Sequence, residues 1–202
     1  MSGYVLIGDS QAQGLEPHLR EYMRARGYAL LGASTQPGWS TSRFVEDGIA
    51  RRLVSAAPDL VLVALGGNDA AITASQQAAL ASDISTLVAQ LRAGGTRHII
   101  WIGPAHSMNS DVARRHRSTT ALHKLIMPAL DVEWHDGDPM TRDLGHTADG
   151  THFTRTSYAR WAARVNAVLF TSSSGAGRWV GAALAGAAVG MAGLAWYFLR
   201  RR

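Results

Sequence analysis

Three short segments of the chain carry side chains from which nucleophilic chemistry can be assembled. Gly8-Asp9-Ser10 offers a hydroxyl, Gly66-Gly67-Asn68-Asp69 an amide beside two glycines, and Asp149-Gly150-Thr151-His152 a carboxylate and an imidazole three residues apart. A carboxylate at that spacing can hold one ring nitrogen while the other faces outward, which keeps a general base in one tautomer. Taken singly, each segment has a plainer explanation. Ser10 reads first as a helix cap, Gly66-Gly67-Asn68 as a glycine turn closed by an Asx cap, and Asp149 with His152 as a polar stretch of surface. The chain has no cysteine, which excludes a thiolate nucleophile, a thiolate metal site and a disulfide framework. Any nucleophile is therefore an oxygen. The remaining histidines, at 18, 98, 106, 116, 123, 135 and 146, show no repeated ligand spacing, so structural or surface roles are expected and no metal or cofactor is.

The elements that must position these groups follow from the apolar pattern. Short apolar runs at 4–7, 28–33, 60–65, 98–102 and 132–134 read as strands, and several are apolar throughout, as expected where helices cover both faces of a sheet. Segments 12–26, 44–56, 75–93, 111–127 and 157–170 read as helices; in the last, Tyr158, Trp161, Val165 and Leu169 form one apolar stripe. Five alternations of strand and helix predict an α/β fold around a five-stranded parallel sheet with right-handed crossovers. In such a sheet reactive groups collect at the carboxyl edge, where strands give way to helices. All three polar segments fall there. Ser10 in particular sits in a strand-to-helix turn, where the helix dipole favours developing negative charge.

With 202 residues, 47% of them hydrophobic and 17% charged, the composition is that of a globular chain. The net charge of +5 invites a nucleic-acid partner, but four of the 20 basic residues lie in 178–202, where no acid occurs, leaving 16 basic against 15 acidic residues in the body. Arg114, Arg115, His116 and Arg117, with no aromatic residue between them, read as a solvated helix face, and no nucleic-acid binding is expected. Residues 179–199 are uncharged and as a helix would span about 31 Å, enough to cross a bilayer. Trp179, Trp196 and Tyr197 fit its interfaces, and Arg178 with Arg200, Arg201 and Arg202 flank it. The expected organisation is a catalytic body over 1–170, a flexible Ser/Gly tether over 171–177, and a single-pass C-terminal anchor within 178–202 that makes the membrane a partner. Ala182, Gly186 and Gly190 form a small-residue ridge that would permit a helix-mediated homodimer. The terminal arginines favour a cytoplasmic end for that span, while nothing resembling a signal peptide leads into the body, so the side of the membrane is left open.

Together the polar segments give the body, residues 4–170, a sequence that resembles the SGNH, or GDSL, hydrolase family. The family's first block is similar to Val5-Leu6-Ile7-Gly8-Asp9-Ser10, its third, G-x-N-D, to Gly66-Gly67-Asn68-Asp69, and its fourth, D-x-x-H, to Asp149-Gly150-Thr151-His152. The second block is a glycine; Gly38 is the best match and Gly32 competes with it. The resemblance implies a flavodoxin-like three-layer fold and a serine esterase. Ser10 would be the nucleophile, His152 the base and Asp149 its orienting acid. The oxyanion would be held by the backbone N–H groups of Ser10 and Gly38 and by the Asn68 amide. Asp9 and Asp69 are expected to brace the two loops rather than to act chemically. Two departures stand out: Gln11 follows the serine where many members carry Leu or His, and Phe153 replaces a frequent proline. Compact members act on O-acetylated sugars, lysophospholipids or thioesters. The expected substrate is an acyl ester of carbohydrate or lipid, with small-acyl removal from an envelope or surface carbohydrate favoured over lysophospholipase or thioesterase action. Acyl transfer would use the same groups, and a non-catalytic anchored protein would be expected to have lost one of them.

Overall fold

A computed structural model describes residues 2–171. The tether beyond Thr171 and the apolar span, with the dimer and membrane contacts expected of it, lie outside the described residues. Among the described residues no helix is long and apolar enough to cross a membrane. The strands are β1 (Ser2–Gly8), β2 (Tyr28–Thr35), β3 (Leu60–Ala64), β4 (His98–Ile102) and β5 (Glu133–His135). The helices are α1 (Ser10–Ala25), α2 (Thr41–Asp47), α3 (Ile49–Val54), α4 (Ala74–Ala93), α5 (Ser110–Ile126), α6 (Gly137–Thr141) and α7 (Arg155–Thr171).

All strand pairs are parallel, in the order β2-β1-β3-β4-β5, the flavodoxin-like arrangement. Alternate residues of each strand feed opposite cores. Val5, Ile7, Val61, Val63, Ile99 and Trp101 pack under α2, α3, α4 and α5. Tyr4, Leu6, Leu60, Leu62, Ile100 and Ile102 pack under α1 and α7. The sheet is thus the middle of three layers, with β3 at its centre, β1 beside it and Gly8 at the carboxyl edge.

One expected helix is two. The apolar spacing predicts a single helix over 44–56, but Gly48 takes a left-handed conformation (φ 69°) that ends α2 and begins α3. Without a Cβ, glycine adopts that conformation at little cost, so the chain turns there although the apolar spacing continues. The start of α2 also moves back to Thr41, because Ser40 caps it through a bond from the Arg43 N–H.

Candidate active site

The site is built from three loops at the carboxyl edge of the sheet. After β1 the chain passes directly into α1, whose N-cap is Asp9; its Oδ1 accepts the Gln11 N–H at 2.9 Å. That cap leaves Ser10 as the first residue of the helix. The Ser10 hydroxyl lies 2.8 Å from His152 Nε2, and His152 Nδ1 lies 2.6 Å from Asp149 Oδ2. The imidazole is thereby held between an acid and a hydroxyl, the geometry in which a histidine can take a serine proton.

The acid–base loop is shaped by its own backbone. Asp149 Oδ1 accepts the N–H groups of Thr151 and His152 and the Thr147 hydroxyl, at 2.8, 2.9 and 2.9 Å. The His152 ring, then these N–H groups, hold the Asp149 carboxyl well below the usual carboxylate range. It stays ionised, as an acid that orients an imidazole must. The loop closes through the Thr147 N–H donating to the His152 carbonyl and through a bridge between His146 and Phe153.

Asn68 and Gly38 come to the same cavity, of ≈ 180 Å³, that Ser10 and His152 line. Asn68 Nδ2 donates to the Trp39 carbonyl at 3.2 Å and lies 3.4 Å from Asp9 Oδ2. The first bond pins the loop that carries Gly38 to the loop that carries Asn68. The second is long enough to be given up to a stronger acceptor. Gly38 has φ 77° and open space where a Cβ would stand. Gly32 lies inside β2, paired with Val5, and is absent from the cavity wall. Asp69 is buried and accepts the Thr41 N–H and hydroxyl at 2.8 and 2.6 Å, bracing the start of α2 against the Asn68 loop. Burial raises its carboxyl above the ordinary value, opposed by those Thr41 bonds. Burial pushes Asp9 up to about 7, against the pull of the Gln11 and Gly67 N–H groups.

His116 was not expected at the site. Instead of joining a solvated basic face, it is buried in the cavity wall, with Nδ1 2.7 Å from the Ala105 carbonyl and Nε2 3.1 Å from that of Gly67. Burial lowers its pKa, so the ring is kept neutral and donates to one of the two carbonyls. Arg114 and Arg117 remain exposed, since neighbouring residues on a helix point about 100° apart. The signal that could have found it is the stripe His116, Thr119, Leu122, His123 and Ile126, all buried at spacings of three and four.

The model of the GDSL-like lipase/acylhydrolase family matches residues 6–160. The chain belongs to that family. It is an SGNH-type esterase, and solved structures of similar fold agree in architecture. A lipase/acylhydrolase from Enterococcus faecalis is 20% identical, with a TM-score of 0.68 over 84% of this chain and 95% of that one. A carbohydrate acetylesterase family member from Sinorhizobium meliloti is 19% identical, with a TM-score of 0.64 over 84% and 97%. A catalytic mutant of an acetylxylan esterase from Geobacillus stearothermophilus is 14% identical, with a TM-score of 0.63 over 82% and 94%. No curated protein sequence matches the chain. At these identities the solved structures establish the fold of the acylhydrolase, and its substrate is a matter for the site itself.

Proposed function

We propose that this acylhydrolase removes small acyl groups, O-acetyl above all, from carbohydrate or a cell-envelope polymer. His152 takes the Ser10 proton as Ser10 attacks the ester carbonyl, and Asp149 stabilises the imidazolium that forms. The negative oxygen of the tetrahedral intermediate is held by the N–H groups of Ser10 and Gly38 and by Asn68 Nδ2, which exchanges its long contact with Asp9 for a charged acceptor. Collapse expels the alcohol, protonated by His152. Water, deprotonated by the same ring, then releases the acid from the acyl-enzyme.

The observation that carries the choice of a small acyl group is the cavity. Its volume of ≈ 180 Å³ is below the roughly 300–1,000 Å³ of ordinary ligand pockets, and no apolar side chain larger than Pro37 lines it. A long acyl chain would find neither the room nor the apolar wall that favours its burial. The uncharged run at 179–199 supports a site anchored beside a bilayer, which suits a polymeric or surface substrate better than a freely diffusing one.

Turnover of nitrophenyl esters of rising chain length, beside Ser10→Ala, tests this. The expected outcome is fastest turnover on acetate, lost in the mutant. A preference for long chains would overturn the small-acyl assignment. Folded protein that turns over no ester, yet passes an acetyl group to a sugar hydroxyl, would replace hydrolysis by transfer.

A further inference from the structure

Gln11 stands at the position after the nucleophile, and both ends of its amide are hydrogen-bonded. Nε2 donates to the Thr151 carbonyl at 2.9 Å, and Oε1 accepts the Tyr158 hydroxyl at 2.9 Å. Its partners lie 140 and 147 residues away, on the loop that carries the acid and base and on the helix that follows. Gln11 is buried, as is Tyr158. These bonds sit between α1 and the elements that present His152. Asp149 and Thr147 shape the acid–base loop from within, and Met108 and Ser107 hold its Gly150 carbonyl from the β4–α5 side, at 2.7 and 3.1 Å. Among the described residues, the tie from the nucleophile's own helix to this loop, besides the Ser10–His152 bond, is Gln11.

The pair of contacts needs one donor and one acceptor, which an amide supplies at every pH. A carbonyl must be met by a donor and a phenol by an acceptor, and a glutamine presents both from one planar group. The surroundings are fitted to it. A Cβ on Gly14, one turn along α1, would stand 2.3 Å from the Tyr158 ring, so Tyr158 reaches Gln11 because residue 14 has no side chain. Phe153 packs edge-on against Tyr158 at 5.6 Å, and Trp161 stacks on it at 6.2 Å, fixing the phenol from the other side.

We infer that Gln11 is a positioning residue: it clamps the nucleophile helix to the Asp149–His152 loop and sets the distance between the Ser10 hydroxyl and His152 Nε2. The inference rests on Ser10 and His152 acting as nucleophile and base. It goes beyond that assignment by placing control of their separation in a side chain whose amide bonds go to Thr151 and Tyr158, neither of them a reacting group. A misplacement of reacting groups by about 1 Å costs up to about 100-fold in rate, so loss of the clamp is expected to lower kcat about 10- to 100-fold with KM little changed.

The full chain is tested with nitrophenyl acetate as Gln11→Leu, Gln11→Leu with Tyr158→Phe, and Gln11→Glu, beside Ser10→Ala and His152→Ala. Gln11→Leu fills the space without either hydrogen bond, and the double variant also removes the phenol left without an acceptor, with a melting curve to show that each is folded. Both are expected to show the drop in kcat at nearly constant KM. Gln11→Glu supplies the discriminating readout. As a neutral acid it donates to Thr151 and accepts from Tyr158, whereas as an anion it sets a lone pair against the Thr151 carbonyl. Its rate relative to the natural protein should therefore fall as pH rises. Natural kcat in Gln11→Leu and the double variant, or a Gln11→Glu rate ratio that stays flat across the pH range in which infrared spectroscopy shows the introduced carboxyl to ionise, overturns the clamp while leaving the triad standing, provided Ser10→Ala and His152→Ala are inactive. Activity that survives Ser10→Ala overturns both.

Discussion

Replacing Asn68 by Ala separates the proposed oxyanion role from a purely structural one, because the amide makes one shorter and one longer contact. The contact with the Trp39 carbonyl, 3.2 Å, belongs to the resting protein and holds the Gly38 loop. Its loss is expected to cost about 0.5–1.5 kcal/mol of stability, a fall in melting temperature of about 1–6 °C for a domain of this size. The longer contact with Asp9, 3.4 Å, is nearly free energetically, which leaves that proton available to a developing oxyanion. Removing one such donor typically lowers turnover by about 10² to 10³, equivalent to about 2.7–4 kcal/mol of transition-state stabilisation. The expected variant is folded, melts slightly earlier, and is slowed far more than its stability loss explains. Steady-state kinetics on nitrophenyl acetate with a parallel melting curve measures both quantities. An Asn68→Ala protein that keeps most of its turnover removes Asn68 from the oxyanion hole and leaves it as a loop pin.

Two buried titratable groups give further expectations. His123 is fully buried, neither ring nitrogen has a hydrogen-bond partner among the described residues, and burial pushes its pKa down to about 3. The folded state then holds fewer protons than the unfolded one, so stability is full above about pH 6.5 and is lost as pH falls toward 3, by about 1.4 kcal/mol per unit at most. His123→Leu is expected to raise stability by about 1–2 kcal/mol and to flatten that acid limb in chemical denaturation; a limb of unchanged slope would refute it. Asp9 runs the other way. With its pKa raised to about 7, its contribution is full below about pH 4 and is lost as pH rises through 7, so Asp9→Asn should gain on the natural protein in melting temperature between pH 4 and 8. Parallel melting curves would show that the carboxyl is not protonated in the fold.

The strands were legible because their apolar character is continuous: 98–102 was read without error, and the others within two residues at either end. Four of five helices were located within a few residues for the same reason. The fifth was missed as a pair because spacing reports which face is buried, and not a change of direction at a single glycine. Ser10, Asn68, Asp149 and His152 were readable as types at strand ends; the fold brings Ser10, Asn68 and His152 to one cavity and sets Asp149 on the far nitrogen of the His152 ring. His116 was hidden by its neighbours, since three arginines around it suggested one solvated face where the helix presents two. Gln11 was visible as a departure from the family pattern, but its partners lie 140 and 147 residues away and no local pattern could name them.

The Ser10–His152 bond joins positions 142 apart, the first supplied by the opening strand–helix turn and the second by the loop before α7. During synthesis β1 is made before both strands that flank it, β2 and β3, and Ser10 has no base until nearly the whole body has been made. The nascent acylhydrolase is therefore expected to be inert towards esters until His152 and α7 have been added. The same arrangement makes turnover a sensor of docking at the far end of the body: detachment of α7 with its preceding loop would silence the enzyme while the sheet stayed intact. Loss of activity ahead of loss of secondary structure in a denaturant titration would be the mark of that order of events.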